Sequence, residues 1–334
     1  MKKKFFYITI TGLLIIGAII YLTANNKTIS ALENINKKLF LTGVLFYLLM
    51  NLADAARTKI LLKGTGDNIS MLESLELVAT LTFFNLITPF SFGGQPFQIY
   101  ILHKKGIPAG NASIVVITKL LFGAVALMGV VLYALIFYPH ILGNSTGIRL
   151  GIKITSILII LMSILFVIGI YNTKTIVKLI SKLNNILKRF HILKKNKNYT
   201  ESIEKQLILA RESFTTFLGK KFGYFLSGFI LSFITILSNL LMIVFFILSF
   251  HIKINILEAT SAAGLLIFVV TFLPTPGANG LGEGVFYLIF RQYTPTYIIG
   301  VIIFLWKFFH HYLTSAVGFV VSIKYFTDLL NKKN

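Results

Sequence analysis

The chain has 334 residues, of which 56% are hydrophobic and only 13% are charged, and it carries a formal net charge of +21. Its long apolar runs and its mean hydropathy of +0.82 exclude an ordinary soluble domain and indicate a polytopic helical membrane protein. The basic residues lie in loops beside the apolar runs, where anionic membrane lipids are nearer partners than nucleic acid, so we expect no nucleic-acid partner.

Six apolar runs are long enough to cross a bilayer. They comprise residues 5–24, 39–56, 112–138, 150–171, 222–250 and 297–323. The first is read as a retained span, because it is longer than the apolar part of a signal peptide. Most of the 32 Lys and Arg residues then fall on the cytoplasmic side, as the positive-inside rule requires. This topology predicts a multi-pass protein of the cell membrane with both termini in the cytoplasm.

Two further apolar runs, 71–102 and 258–290, are each interrupted by glycine and proline. We call residues 88–98 (TPFSFGGQPFQ) the first break and residues 272–286 (FLPTPGANGLGEGVF) the second break. Unpaired backbone groups cost several kcal/mol each in hydrocarbon, so a break must be buried in protein or line a wet cavity. The flanking charges favour a re-entrant hairpin for each run, with the two hairpins entering from opposite faces.

Residues 172–221 form a basic cytoplasmic segment between the two halves of the chain. Apolar residues recur at helical spacing between 176 and 190, with lysines largely opposite them. This amphipathic pattern is equally compatible with a helix on anionic lipid and with a helix docked beneath the bundle.

Residues 39–138 and 222–323 share the plan of span, hairpin and span, with opposite orientation. One alignment of the two halves, which we call the repeat alignment, superposes four polar or glycine pairs without a gap, namely Asn51 on Asn239, Gly94 on Gly282, Gln95 on Glu283, and Lys119 on Lys307. The predicted fold is therefore an all-α integral membrane protein with six full transmembrane helices plus two re-entrant helical hairpins in an inverted repeat. This architecture is typical of transporters.

Three sequence blocks resemble a known family. They are residues 88–110 (TPFSFGGQPFQIYILHKKGIPAG), 274–284 (PTPGANGLGEG) and 306–313 (WKFFHHYL), and they look like the lysylphosphatidylglycerol synthase transmembrane region, or UPF0104, family. The resemblance implies the membrane half of MprF-type proteins, which is thought to translocate aminoacylated phosphatidylglycerol. A separate soluble domain of those proteins synthesises that lipid from aminoacyl-tRNA. Since the chain ends at Asn334, shortly after the last span, we expect no such domain here.

The candidate substrate-binding residues cluster at the two breaks and on the spans around them. Lys119 and Lys307, as intramembrane cations, would hold a lipid phosphate together with the half-helix N-termini, although each could instead snorkel or form a structural pair. Gln95 is expected at a helix cap before Pro96. Glu283 would either cap a half-helix or bind an amine or a proton. The full set is Asn51, Gly94, Gln95, Gln98, Lys119, Asn239, Gly277, Asn279, Gly282, Glu283 and Lys307.

Other polar residues suggest structural roles. Asp54 and Arg57 share a helical face with Asn51, which favours an ordinary interfacial ion pair. His310 and His311 are adjacent and should point in different directions, so they would make a poor pair of metal ligands. Because nucleotide loops, zinc-protease helices and serine elbows are all missing, we predict no catalytic residue, no metal and no cofactor.

The sequence thus predicts a flippase for an anionic, aminoacylated or polyprenyl-phosphate lipid. Its partners would be that lipid's headgroup and anionic membrane lipids, with a separate lipid-modifying enzyme or a second copy of the chain as further candidate partners. The alternative is a phosphatidylglycerol lysyltransferase or its membrane subunit, and a non-transporting scaffold is a third class.

Overall fold

The computed structural model describes residues 2–142 except 92, and residues 219–331, with isolated residues between 150 and 216. All regular structure in these ranges is helical. The helices are α1 (Lys2–Thr23), α2 (Asn26–Glu33), α3 (Lys37–Thr65), α4 (Met71–Ile87), α5 (Gly94–Lys104), α6 (Ala109–Phe137), α7 (Phe222–Leu248), α8 (Ile256–Thr271), α9 (Leu281–Phe290), α10 (Thr296–Lys307) and α11 (Thr314–Asn331). A π-helical turn, Phe308–Leu313, joins α10 to α11.

Five stretches of the described residues are helical, long and apolar enough to cross a membrane. These are Phe6–Thr23, Lys37–Thr65, Ala109–Phe137, Phe222–Leu248 and Thr296–Tyr325. They confirm five of the six predicted spans. The sixth, 150–171, and the amphipathic segment 172–221 lie almost entirely outside the described residues.

The second span is longer than the sequence suggested. The predicted end at residue 56 is wrong, because α3 continues through Arg57 to Thr65. Gly66 ends the helix in the left-handed conformation, with φ of 94°, which glycine adopts without steric cost. The helix continues beyond Arg57 within the bundle, because the side chain of Arg57 is buried there and does not mark the membrane surface.

The two arms of the first interrupted run, α4 and α5, fold back on each other. Ser70 and Glu73 form a capping box at the start of α4. Lys105, which follows α5, brings its Nζ to 2.6 Å from Glu73 Oε1. The run therefore begins and ends at the same place, as a helical hairpin must.

The second interrupted run closes in the same way. Asn255 caps α8 through its side chain, and Glu258 lies in the first turn. The hydroxyl of Tyr293, just beyond α9, donates to Glu258 Oε1 at 2.7 Å. Tyr293 is the counterpart of Lys105 in the repeat alignment, whereas Glu258 lies three residues before Ser261, the counterpart of Glu73.

Both breaks contain left-handed backbone. Phe90 and Ser91 have φ of 57° and 53° in the first break, and Gly277 and Ala278 have φ of 60° and 53° in the second. Left-handed residues other than glycine are uncommon, so the surrounding packing must enforce these turns. The two breaks contact each other. A Cβ added to Gly277 would collide with Leu86, which explains a glycine where the second break meets the end of α4.

The order of elements repeats along the chain. The series α3, α4, break, α5, α6 is followed by α7, α8, break, α9 and α10–α11. In the repeat alignment α4 corresponds to 259–275, close to α8 at Ile256–Thr271. The opposite orientation of the two units in a membrane stays a prediction.

The two units interlock rather than lie side by side. Helix α3 packs along α7, α4 along α11, and α6 against α8. Gly43 permits the first contact, because a Cβ there would lie 2.8 Å from the ring of Phe246. The space between the interlocked units is therefore bounded by helices from both.

Glu73 should make the first hairpin sensitive to acid. Its hydrogen bonds with Lys105 and then Ser70 lower the pKa of Glu73 from 4.5 to about 2. A carboxyl with a pKa lowered by folding contributes stability above its unfolded pKa, and this contribution is lost as pH falls from about 4.5 towards 2. Glu73→Gln should lower the thermal unfolding temperature at neutral pH, and the gap to wild type should close in acid. Glu33→Gln, at an exposed site, is the control, and a gap that is unchanged by acid would contradict the prediction.

The hairpin topology is testable by labelling, because the chain has no cysteine. Lys63 and Lys104 are exposed at the ends of α3 and α5, and Lys253 is exposed between α7 and α8. Single cysteines at Lys63 and Lys104 should react with an impermeant thiol reagent from one side of the membrane, and one at Lys253 from the other side. Labelling of the first two from opposite sides would make α4–α5 an ordinary span.

Candidate functional site

A cavity of about 290 Å³ lies between the two units, and we call it the central cavity. Its polar lining comes from α3, α4, α5, α7, α8, α11, the first break and the π-helical turn. The polar residues on its wall are Asn51, Asp54, Thr82, Asn85, Ser91, Gln95, Thr235, Asn239, Thr271, His310, His311 and Thr314. A cavity with this many polar groups, between apolar helices, has the character of a ligand site.

The structure brings three of the predicted site residues onto this wall. Asn51 and Asn239, equivalent in the repeat alignment, face the same cavity, and Gln95 joins them from the first turn of α5. Asn239 is only 6% exposed. Its Oδ1, like Oε1 of Gln95, has no hydrogen-bond partner among the described residues. Two amide oxygens therefore remain unsatisfied beside the cavity, a costly arrangement without a ligand or water.

The other predicted residues lie away from the wall. Gln98 is buried and donates from Nε2 to the carbonyl of Leu77 at 3.1 Å, which links the two arms of the first hairpin. Asn279 donates from Nδ2 to the carbonyl of Ile8 at 3.1 Å, which ties the second break to α1. Gly94, Gly277 and Gly282 are buried where the chain turns closely.

The start of α5 differs from the expected anion site. Gly93, rather than Gln95, occupies the cap, while Pro96 does lie in the first turn as predicted. The Gly94 N–H donates to Asn85 Oδ1 at 2.8 Å, and the Gly93 N–H donates to Thr88 Oγ1 at 3.0 Å. Side chains of α4 and its end have thus occupied two donors that sequence reasoning left free for a phosphate. The reason is that a buried N–H without a partner is costly, and the adjacent arm supplies one.

Lys119 belongs to a buried cluster of charges that we call the Asp54 cluster, formed by Asp54, Arg57 and Lys119. Lys119 Nζ donates to Thr58 Oγ1 at 2.6 Å and lies 3.2 Å from Asp54 Oδ1. Arg57 donates from Nε to the same Oδ1 at 3.0 Å and from a second nitrogen to Ser232 at 2.9 Å.

All three members of the Asp54 cluster are buried, with Asp54 and Arg57 each 7% exposed and Lys119 4% exposed. The pair expected to be an ordinary interfacial one therefore lies inside the bundle. Two cations share a single carboxylate, so the cluster retains one surplus positive charge, and its Asp54 lies on the cavity wall.

Lys307 forms a second buried pair on the other side. Its side chain and that of Glu283 are fully buried, with Lys307 Nζ 3.4 Å from Glu283 Oε1. The ammonium also donates to the carbonyl of Gly277 at 2.8 Å and to Asn279 Oδ1 at 3.3 Å. Lys307 is thus held by a carbonyl of the second break and by the carboxylate of Glu283.

Neither lysine is among the residues that line the central cavity. A buried ammonium without a counter-charge is expensive, and each lysine turns onto the carboxylate next to it. Glu283 lies in the first turn of α9, as predicted, but neither of its oxygens accepts a hydrogen bond from the described residues. The structure thus gives it a counter-charge rather than a capping bond.

His310 and His311 both face the cavity, although adjacent residues of an α-helix point apart. They lie in the π-helical turn, Phe308–Leu313, where the wider winding changes the direction of successive side chains. Their ring centroids are 4.4 Å apart. Nδ1 of His310 and Nε2 of His311 have no partner among the described residues. The expectation that they point in different directions is wrong, because both lie on the cavity wall.

Sequence reasoning missed several members of the wall. Thr82, Asn85 and Thr271 carry no signal of their own, because a threonine or asparagine in an apolar helix commonly bonds its own backbone. Asp54 did carry a signal: an acid three residues before Arg57 in an apolar run, with an unpaired lysine elsewhere in the spans, calls for a shared buried partner.

Two comparisons with known proteins cover this site. Residues 9–318 match the family described as the lysylphosphatidylglycerol synthase TM region. A protein of Archaeoglobus fulgidus, described as a UPF0104 membrane protein, is 26% identical over 315 residues, and the alignment covers 91% of each chain. The resemblance noted in the sequence blocks is thereby confirmed, and it extends over both units and the cavity wall.

The charge balance of the Asp54 cluster predicts an order of stabilities. Asp54→Asn leaves Arg57 and Lys119 without a counter-charge and should lower the free energy of unfolding by about 3–5 kcal/mol. Lys119→Met leaves one cation with one carboxylate and should cost clearly less. Thermal and denaturant unfolding in the same detergent would rank the variants, with Glu33→Gln at an exposed site as the control. A larger loss for Lys119→Met than for Asp54→Asn would contradict the assigned balance.

Proposed function

Because the chain belongs to the family of lysylphosphatidylglycerol synthase TM regions, we propose that it is a lipid transporter of the flippase type in the cell membrane. Its cargo would be an anionic, an aminoacylated or a polyprenyl-phosphate lipid. The proposed topology has both termini in the cytoplasm, and α4–α5 and α8–α9 as re-entrant hairpins of an inverted repeat.

The observation that carries the proposal is the central cavity itself. It lies where two interrupted helix pairs meet, and residues of both units form its wall. Transporters commonly bind their substrate at such an interface, because only there is irregular backbone protected from lipid. A protein that merely anchored an enzyme would have no use for a polar cavity of about 290 Å³ between its units.

The charge around the cavity supports an anionic cargo. The Asp54 cluster carries one surplus positive charge, and the Lys307–Glu283 pair is balanced. A lipid phosphate next to Asp54 would complete the neutralisation of Arg57 and Lys119. Binding would then neutralise the surplus positive charge of the Asp54 cluster. The electrostatic free energy of the site would differ between the empty and the lipid-bound states, as a transport site requires.

The family's description favours a second candidate, the membrane part of a phosphatidylglycerol lysyltransferase. That reaction needs an aminoacyl-tRNA and a catalytic group to transfer the aminoacyl ester, and the cavity wall offers hydroxyls, amides and imidazoles buried within the bundle. Such a wall suits recognition of a headgroup better than access by a tRNA. The flippase is therefore the preferred proposal.

Translocation of fluorescent phospholipids in proteoliposomes tests both candidates. Wild type should exceed protein-free vesicles for an anionic lipid, and Lys119→Met should lower its rate at least tenfold while the protein stays folded, because the surplus charge is lost. Lys307→Met combined with Glu283→Gln removes a balanced pair and should affect transport less. Lys27→Met, at an exposed site, is the matched control.

Wild-type rates in Lys119→Met would contradict the assigned role of the charge. Vesicles that show no translocation of any anionic lipid, together with formation of lysylphosphatidylglycerol from lysyl-tRNA by the purified chain, would replace the flippase by the synthase.

A further inference from the structure

Most of the polar groups on the wall of the central cavity are neutral and can form hydrogen bonds with a hydroxyl group. Three threonine hydroxyls on it, those of Thr82, Thr235 and Thr271, each donate their only proton to a carbonyl of their own helix at 2.7–3.0 Å. They present only lone pairs to the cavity. The side-chain amides of Gln95 and Asn239 each add one acceptor oxygen and one donor NH₂ group, and a hydroxyl can pair with either.

Two buried, unpartnered atoms on the lining residues support a ligand at this wall. Asn239 and His311 are 6% and 8% exposed, and Oδ1 of the first and Nε2 of the second have no partner among the described residues. Both side chains line the cavity. A buried polar atom without a partner destabilises the protein, so a ligand that supplies the missing hydrogen bond is bound favourably here.

Ammonium and hydroxyl groups can both donate, and the charge of the wall distinguishes them. Asp54 is the only carboxylate on the described wall, and Arg57 and Lys119 already outnumber it. The other acid nearby, Glu283, lies off the wall and faces Lys307. An ammonium would therefore meet a positive surplus without a free counter-ion, whereas a hydroxyl meets no such penalty.

From these contacts we propose that the central cavity binds the uncharged, hydroxyl-bearing part of a lipid headgroup, such as glycerol or one sugar. Asn239, Gln95 and His311 accept the hydroxyl protons, and the lipid phosphate lies towards the surplus charge of the Asp54 cluster. A volume of about 290 Å³ has room for a small polyol of this kind. The inference rests on the proposed function, and within it selects hydroxylated headgroups over aminoacylated ones.

Binding, measured without transport, tests this selection. The full chain would be placed in phosphatidylcholine nanodiscs, and four lipids with identical acyl chains would compete for it: phosphatidylglycerol, phosphatidic acid, phosphatidylethanolamine and lysylphosphatidylglycerol. Bound lipid is read by native mass spectrometry. Phosphatidylglycerol should bind at least tenfold more tightly than phosphatidic acid, which lacks the polyol, and this ratio corresponds to about 1.4 kcal/mol. It should also bind more tightly than both amine-bearing lipids.

Variants assign the selectivity to the cavity. Asn239→Leu keeps the side chain's size and removes its hydrogen bonds, so the preference for phosphatidylglycerol over phosphatidic acid should disappear. Asn26→Leu, an amide lost at an exposed site, should leave the preference intact. If Asn239→Leu does not fold, Thr271→Val tests the same wall, with a smaller decrease expected.

Equal binding of phosphatidic acid and phosphatidylglycerol, tighter binding of either amine-bearing lipid, or an unchanged preference in the folded wall variant would overturn the inference. So would the absence of binding by all four lipids. Selective binding without translocation would instead remove the proposed transport and leave this assignment standing. Translocation of lysylphosphatidylglycerol in preference to phosphatidylglycerol would remove this assignment and leave the proposed transport standing.

Discussion

Backbone groups without partners cannot face hydrocarbon, and this constraint organises the molecule around its two helix breaks. Each break is held in left-handed turns and pressed against the other, with Gly277 fitted beside Leu86. The hairpin arms close on themselves through Glu73–Lys105 and Glu258–Tyr293, so the tips are fixed by both ends. Where the first break meets α3, α7 and the π-helical turn, packing is incomplete, and the central cavity remains.

The same low-polarity interior decides how the charges are arranged. Lys119 and Lys307 occupy equivalent positions, yet their partners differ: the first pairs with Asp54 of a neighbouring long helix, the second with Glu283 of its own unit's hairpin. The Asp54 cluster keeps a surplus cation because Arg57 is also present, whereas the other pair is even. The two units therefore differ electrostatically: the central cavity has the Asp54 cluster on one side, and the rest of its polar wall is made of hydroxyls, amides and imidazoles.

Much of the fold follows from sequence because its signals are local. The lengths of the apolar runs predict the helices α1, α3, α6, α7 and α10–α11. The glycine and proline residues predict the positions of the two breaks. The repeat alignment pairs Asn51 with Asn239, and both of these side chains line the central cavity. The direction of a side chain and the choice of its partner depend on contacts between residues that are distant in the sequence. The π-helical winding that turns His310 and His311 to one side leaves no pattern in FFHHYL, and the occupation of the Gly94 N–H by Asn85 depends on how closely two arms approach. Arg57 and Lys119 share the carboxylate of Asp54 because α3 packs against α6, and this packing is not visible in a local sequence pattern.

The central claim is that a lipid headgroup enters the cavity between the two breaks. A phospholipid with a photoreactive diazirine in its headgroup, reconstituted with the full chain and irradiated, would mark the residues it reaches, and peptide mass spectrometry would locate them. We expect adducts concentrated on the cavity wall, at residues such as Thr82, Asn239 and Thr271, and we expect unlabelled anionic lipid to suppress them. Adducts confined to exposed side chains of α1, such as Leu14 and Tyr21, would contradict it.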